Sequence, residues 1–282
     1  MADATIRSPG PKRALIYRHS LATRLTHGVN VMCLGFLLLS GLQIFNAHPR
    51  LYWGQFGADD DHAIISIDSV EDGDDVRGVT HVGSLAIPTT GVLGASNVDG
   101  EITARAFPDW LTLPSYQDLA AGRRWHFFFA WLFVINGLIY LLIGLVSGHF
   151  KRDLMPSSDQ LSVTHLAHEI ADHARLRFPK GEEAKRYNAL QKIAYIVVIF
   201  VLLPLMLLTG LTMSPAMDSV APVLLDVFGG RQSARLIHFL TATSLVTFVL
   251  AHLVMVLVSG VWNNLRSIIT GYYTINEDGN AK

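Results

Sequence analysis

Twelve histidines and a single cysteine, Cys33, decide what chemistry this 282-residue chain can carry. One cysteine excludes an internal disulfide framework, a four-cysteine iron–sulfur site and the Cys-x-x-Cys-His attachment of a covalent haem. Imidazole remains, as a metal ligand, a proton carrier or a hydrogen-bonding group. Six of the histidines, His27, His48, His126, His149, His238 and His252, fall inside stretches that contain no Asp, Glu, Lys or Arg. Polar groups in so apolar a setting cost free energy, and several together ask for a common reason.

His238 and His252 are the most informative pair. They stand 14 residues apart, close to four helical turns, which is about 21 Å along the axis and about 40° around it. One helix therefore presents two imidazoles on one face at two levels. His27, near the start of the first stretch, should share the level of His252. His126, at the start of the second, should share that of His238. Two pairs at two levels match two bis-histidine haems, each iron taking one imidazole on either side.

The competitors fit less well. His149 lies 23 residues after His126, about 140° around the same helix. His48 is about 60° off the face of His27, and Asn46 and Pro49 end the helix before it. Met206 and Met213 offer thioethers, but apolar packing accounts for them. Haem propionates need cations at the bilayer edge. Arg123, Arg124, Arg231 and Arg235 fall near the outer pair and Arg18, Arg24 and Arg266 near the inner one, with interfacial anchoring as their equal alternative. Arg24, Arg124 and Arg235 are the preferred candidates. His165, His168, Glu169, Asp172 and His173 could share a metal, although a solvated face of an interfacial helix is their ordinary explanation.

These side chains must be positioned by apolar elements. Half the residues are hydrophobic and 16% are charged, so the solvent of this chain is largely lipid. The charge-free stretches Leu25 to Pro49, Trp125 to Phe150, Ile193 to Met217 and Leu236 to Leu265 each exceed the roughly 20 residues a helix needs to cross a bilayer. Lipid offers backbone groups no water, so they must be helices. The expected fold is an all-α integral membrane bundle of four helices, at about 22–46, 124–148, 191–213 and 234–260, forming one domain over residues 1–282. A polar insert occupies residues 50–115 and a loop residues 151–190. Pro204 should kink the third helix. Gly35, Gly41, Gly137, Gly144 and Gly210 permit close approach of a neighbouring helix or of a flat cofactor. The first stretch has no signal-type cleavage site and is expected to be retained.

Flanking charge sets the orientation. Residues 1–24 carry Arg7, Lys12, Arg13, Arg18 and Arg24 against the single acid Asp3, and the 151–192 loop is also basic, whereas residues 50–122 have three basic residues against twelve acids. The N-terminus, that loop and the C-terminus are therefore expected on the cytoplasmic side. The acid runs Asp59-Asp60-Asp61 and Glu71 to Asp75 lack the spacing and closing Glu of a calcium loop and read as solvated turns, interspersed with β-like runs such as Ala63 to Ile67. Ser115-Tyr116-Gln117-Asp118 resembles a capping box for a short helix leading into Arg123. A net charge of −1 gives nucleic-acid binding no electrostatic footing.

With these residues placed, the chain resembles the four-helix di-haem cytochrome b subunits of bacterial respiratory enzymes, namely the formate dehydrogenase gamma subunit, the nickel–iron hydrogenase cytochrome b and the thiosulfate reductase cytochrome b. The resemblance lies in Tyr17-Arg18-His19-Ser20 through Arg24-Leu25-Thr26-His27 and, most specifically, in His238 and His252 with thirteen residues between them. The segments Ser40 to Pro49 and Gly122-Arg123-Arg124-Trp125-His126-Phe127 are more particularly similar to the thiosulfate reductase branch. Most of residues 50–110 has no counterpart in the simplest members. The resemblance implies two b-type haems, one ligated by His27 and His252 and the other by His126 and His238, and a quinone site beside the inner haem. It also implies a periplasmic molybdopterin oxidoreductase partner and a place in the bacterial inner membrane. His19 and His149 are candidates for proton exchange with the quinone pool. The contrasting expectation is a haem-free transporter or sensor whose histidines move protons or bind a metal, but no inverted repeat favours it.

Overall fold

The computed structural model describes residues 13–58, 61–73, 75–98, 100–175 and 188–276. Arg7 and Lys12 of the basic flank and Asp59, Asp60 and Asp74 of the acid runs lie outside the described residues, as does the side chain of His173. Four helical spans are long and apolar enough to cross a membrane: Leu21–Phe45, Leu119–Val146, Ala189–Thr212 and Arg231–Val258. We label the first α1, the second α2 and the last α8. Leu138, Leu142 and Leu145 of α2 are 61%, 64% and 70% exposed, an apolar surface that protein leaves uncovered and lipid must solvate.

The third span changes pitch partway. It begins as α4 (Ala189–Val197), widens into a π-helical turn at Val198–Leu202 and resumes as α5 (Leu203–Thr212), with Pro204 in the first turn of α5. A proline lacks the N–H of a regular ladder and its ring crowds the preceding turn, which the wider turn relieves. The second span starts at Leu119, because the Asp118 carboxylate accepts the Ala121 N–H at 2.8 Å and caps it. Asp118 rather than Ser115 is thus the cap, and it opens the long helix itself instead of a separate short one.

The chain is not all-α. Eight strands are present among the described residues, six of them in the insert. There β2 (Arg50–Leu51), β3 (Ile65–Asp72), β4 (Asp75–Val82) and β5 (Leu85–Pro88) form an antiparallel sheet in that order, and β6 (Gly94–Val98) pairs with β7 (Glu101–Arg105). Alternating Ile65, Ile67 on one face and Ser66, Asp68 on the other is the period-2 pattern of a sheet with one wet side.

The contacts divide the chain into two compact units. One comprises residues 28–138 and 201–246. Its core joins Phe45 and Leu236, at the ends of α1 and α8, to Leu51, Ile67 and Ala106 of the insert. Within it α1 packs on α2 through Phe36 and Phe129, stacked at 4.0 Å, and through Asn30 and Asn136, whose amides bond at 2.7 Å. Short helices α6 (Pro215–Val220) and α7 (Val223–Phe228) precede α8. The other unit comprises residues 1–27, 139–200 and 247–282. In it β1 (Arg13–Tyr17) pairs antiparallel with β8 (Tyr272–Asn276), alongside α3 (Val163–Ala174) and α9 (Val261–Thr270). Gly271, at φ +92°, turns α9 into β8 where a side chain would strike Tyr17.

Candidate functional site

In the unit that contains the insert, α2 and α8 bring His126 and His238 together, with ring centroids 6.4 Å apart and planes at 61°. That spacing can be tested against a shared metal. Two nitrogen–metal bonds of about 2 Å and two ring radii of about 1.1 Å would put the centroids of two imidazoles sharing one metal roughly 6 Å apart. His126 and His238 would therefore fit a haem held between them.

Each ring is also held in the tautomer that ligation needs. Ser40 Oγ lies 2.6 Å from the Phe36 carbonyl and 3.1 Å from His126 Nδ1. A carbonyl only accepts, so the Ser40 proton goes to Phe36, and the hydroxyl lone pairs receive the N–H of Nδ1. Nε2 is left with its lone pair available to a metal. His238 has the same arrangement on another helix: Thr209 Oγ1 lies 2.6 Å from the Leu205 carbonyl and 3.0 Å from His238 Nδ1. The residue after each hydroxyl is glycine. A Cβ at Gly41 would stand 3.4 Å from His126 Cε1, and one at Gly210 would stand 3.5 Å from His238 Cε1. Those are ordinary contact distances, so Gly41 and Gly210 lie against the two imidazoles without being required by them, whereas at Gly144 a Cβ would strike the Phe150 ring, and Gly35 and Gly137 face open space.

In the other unit, His27 of α1 and His252 of α8 lie near enough to interact electrostatically. Phe248, one turn before His252, stacks on it with centroids 6.1 Å apart and planes at 17°. Arg24 donates to the Ile269 carbonyl, while its Nε is buried without a partner among the described residues. His19 lies near His27. Burial, then the charges of Arg18, His27, Arg24 and His149, push its pKa down to about 4, so it is neutral at physiological pH. His149 Nδ1 bonds to Asp153 at 2.7 Å. Burial raises the pKa of that carboxyl, but hydrogen bonds from Arg152 and His149 outweigh it and hold Asp153 below the usual range.

The remaining candidates are occupied elsewhere. His48 follows the end of α1 and stacks on Tyr52 at 5.8 Å. Arg235 donates to the carbonyls of His48 and Arg50 and lies over the Phe45 ring. Arg231 pairs with Asp218, Arg123 lies over Phe127, Arg18 over Tyr273, and Arg266 bonds Asn263 and Thr274. Arg124 is exposed on the first turns of α2. On α3, Glu169 accepts from His165 and from the backbone N–H groups of Ala189 and Leu190, at 3.2 and 3.0 Å. A carboxylate at a helix N-terminus explains that cluster as a brace between α3 and α4. No group of three or more His, Cys, Asp or Glu is arranged to hold a metal ion among the described residues.

The hydroxyls of Ser40 and Thr209 were missed by reasoning from histidines alone. Their signal was the Ser-Gly and Thr-Gly dipeptides set in otherwise apolar spans.

Comparison with known proteins completes the picture. Residues 18–271 match the family described as prokaryotic cytochrome b561. Over 149 residues the chain is 32% identical to an Azospira oryzae protein named as subunit YedZ1 of a protein-methionine-sulfoxide reductase, covering 53% of this chain and 70% of that one. No solved structure matches significantly.

Proposed function

Because the chain belongs to the prokaryotic cytochrome b561 family, we propose that it relays electrons through two b-type haems between a soluble redox subunit and the quinone pool. Family membership by itself makes it a membrane-spanning cytochrome b and leaves the haem-free transporter or sensor without support. The observation that carries the finer reading is the 6.4 Å spacing of His126 and His238 with both Nδ1 atoms bonded to hydroxyls. The second haem rests on His27 and His252. When bound, haem supplies a one-electron iron couple, and the protein sets its ligands, orientation and surrounding charge. Arg24 and Arg124 would supply positive charge toward the propionates, whereas the Arg235 guanidinium is taken up by the carbonyls of His48 and Arg50.

The soluble partner is a molybdopterin oxidoreductase on the side of the insert. The name of the Azospira relative, a subunit of a protein-methionine-sulfoxide reductase, supports a partner that reduces methionine sulfoxide. The membrane is the bacterial inner membrane, with the insert periplasmic and both termini cytoplasmic.

Haem counts and reduced-minus-oxidised spectra of purified variants test the assignment. His126→Ala and His238→Ala should each lose one and the same haem, His27→Ala and His252→Ala the other, and His149→Ala neither. Retention of both haems in all four ligand variants would reject ligation from these positions. Loss of one haem by His149→Ala would reject the pairing.

A further inference from the structure

The sheet of the insert has two unlike faces. Register places Leu51 opposite Ile65, Ile65 opposite Val82, Val82 opposite Leu85, Ile67 opposite Thr80, and Thr80 opposite Ile87. Paired residues share a face, so Leu51, Ile65, Ile67, Thr80, Val82, Leu85 and Ile87 form one uncharged surface. The opposite face carries Arg50, Asp68 and His81, joined by ion pairs of 3.0 and 3.2 Å.

Only part of the uncharged face is covered by this chain. Leu51 and Ile67 are in the core with Phe45, the last residue of α1, and Leu236, in the second turn of α8. Farther along the strands, at Ser69 and Gly78, the same face is crossed by β6, whose Gly94 carbonyl accepts from Ser69. The outer strands stay bare beside the span ends: Val82, Leu85 and Ile87 are 48%, 60% and 40% exposed. Hairpin turns are ordinarily polar, and this one is bordered on one face by three uncovered aliphatic side chains.

We propose that the β4–β5 hairpin is a lipid contact, and that Val82, Leu85 and Ile87 enter the headgroup–acyl boundary of the leaflet next to the insert. The face is continuous with the membrane-crossing helices. Phe45 and Leu236 end and begin membrane-crossing helices, and the sheet rests on them by the face that continues out to β5. An uncharged aliphatic surface at that level gains by leaving water for the interface. The polar face, with its ion-paired Arg50, Asp68 and His81, is then turned to water.

Spin labels on single cysteines in the full-length, haem-loaded protein test this, after reconstitution into phosphatidylethanolamine–phosphatidylglycerol nanodiscs. Leu85→Cys and Ile87→Cys report the proposed contact, and Ala86→Cys, exposed on the opposite face of the same strand, is the control. Native Cys33 is fully buried, and unaltered protein carried through labelling checks that it stays unmodified. Labels at positions 85 and 87 should collide with oxygen at least about twofold more often than with a water-soluble nickel chelate, as at the headgroup–acyl boundary, and the label at position 86 should show the reverse. Higher nickel accessibility at all three positions would overturn the proposal. So would protection from both reagents at 85 and 87, which would assign the face to a protein partner or a second copy.

Discussion

Replacing Thr209 with Val removes the acceptor of His238 Nδ1 at nearly constant volume. Thr209 is fully buried, so shape is kept and only the 3.0 Å hydrogen bond is lost. A neutral hydrogen bond contributes about 1 kcal/mol net, and outer-shell partners of metal-ligating histidines change metal affinity by about 10–100-fold. The lost partner is a neutral hydroxyl, which places the expected loss of haem affinity near the lower end, about tenfold. A bonded Nδ1–H makes the imidazole a stronger donor and favours the oxidised iron, so losing it should raise the midpoint potential of one haem. About 1 kcal/mol corresponds to roughly 40 mV for a one-electron couple. Spectroelectrochemical titration of the purified protein reads this directly, with Thr209→Ser expected to restore the original potential. An unchanged potential in Thr209→Val would refute the hydroxyl's role. An equal shift in Thr209→Ser would trace the effect to packing instead.

Other consequences are open to simpler measurements. Glu169→Ala should cost about 1 kcal/mol at the start of α4, seen as faster hydrogen exchange at Ala189 and Leu190; unchanged exchange would mean that Asn188, whose side chain accepts the Gln191 N–H at 2.8 Å, caps the helix alone. Burial raises the Asp68 pKa, but hydrogen bonds from Ser66 and Arg50 prevail and hold it below its ordinary 3.8. A depressed carboxyl stabilises the fold above its unfolded pKa, and that stability is lost as pH falls through the folded value. Acid unfolding of the insert should therefore be less steep in Asp68→Asn below about pH 4, and an identical pH profile in the variant would exclude Asp68 as the source. A cysteine in place of exposed Asp75, at the start of β4, should react with a membrane-impermeant maleimide in intact spheroplasts. Labelling only after lysis would invert the proposed topology.

Much of this molecule was legible along the chain because lipid imposes a one-dimensional rule. Backbone groups in the membrane must bond within their own segment, so charge-free runs of sufficient length had to become helices, and the 14-residue interval between His238 and His252 became a geometric statement on one rigid rod. The insert obeys no such rule. Its strands are short, their pairing depends on which neighbours bury Ile67 and Leu51, and an expectation taken from the spans alone left its sheet unspecified. Contacts between helices were equally hidden. Nothing linear ties Ser40 to His126 or Thr209 to His238, 86 and 29 residues apart; packing alone carries each hydroxyl to an imidazole and selects the nitrogen that keeps its proton. Periodicity within an element follows from backbone geometry, whereas the partner across a helix interface is chosen by side-chain shape over long chain separations, and only the folded molecule decides it.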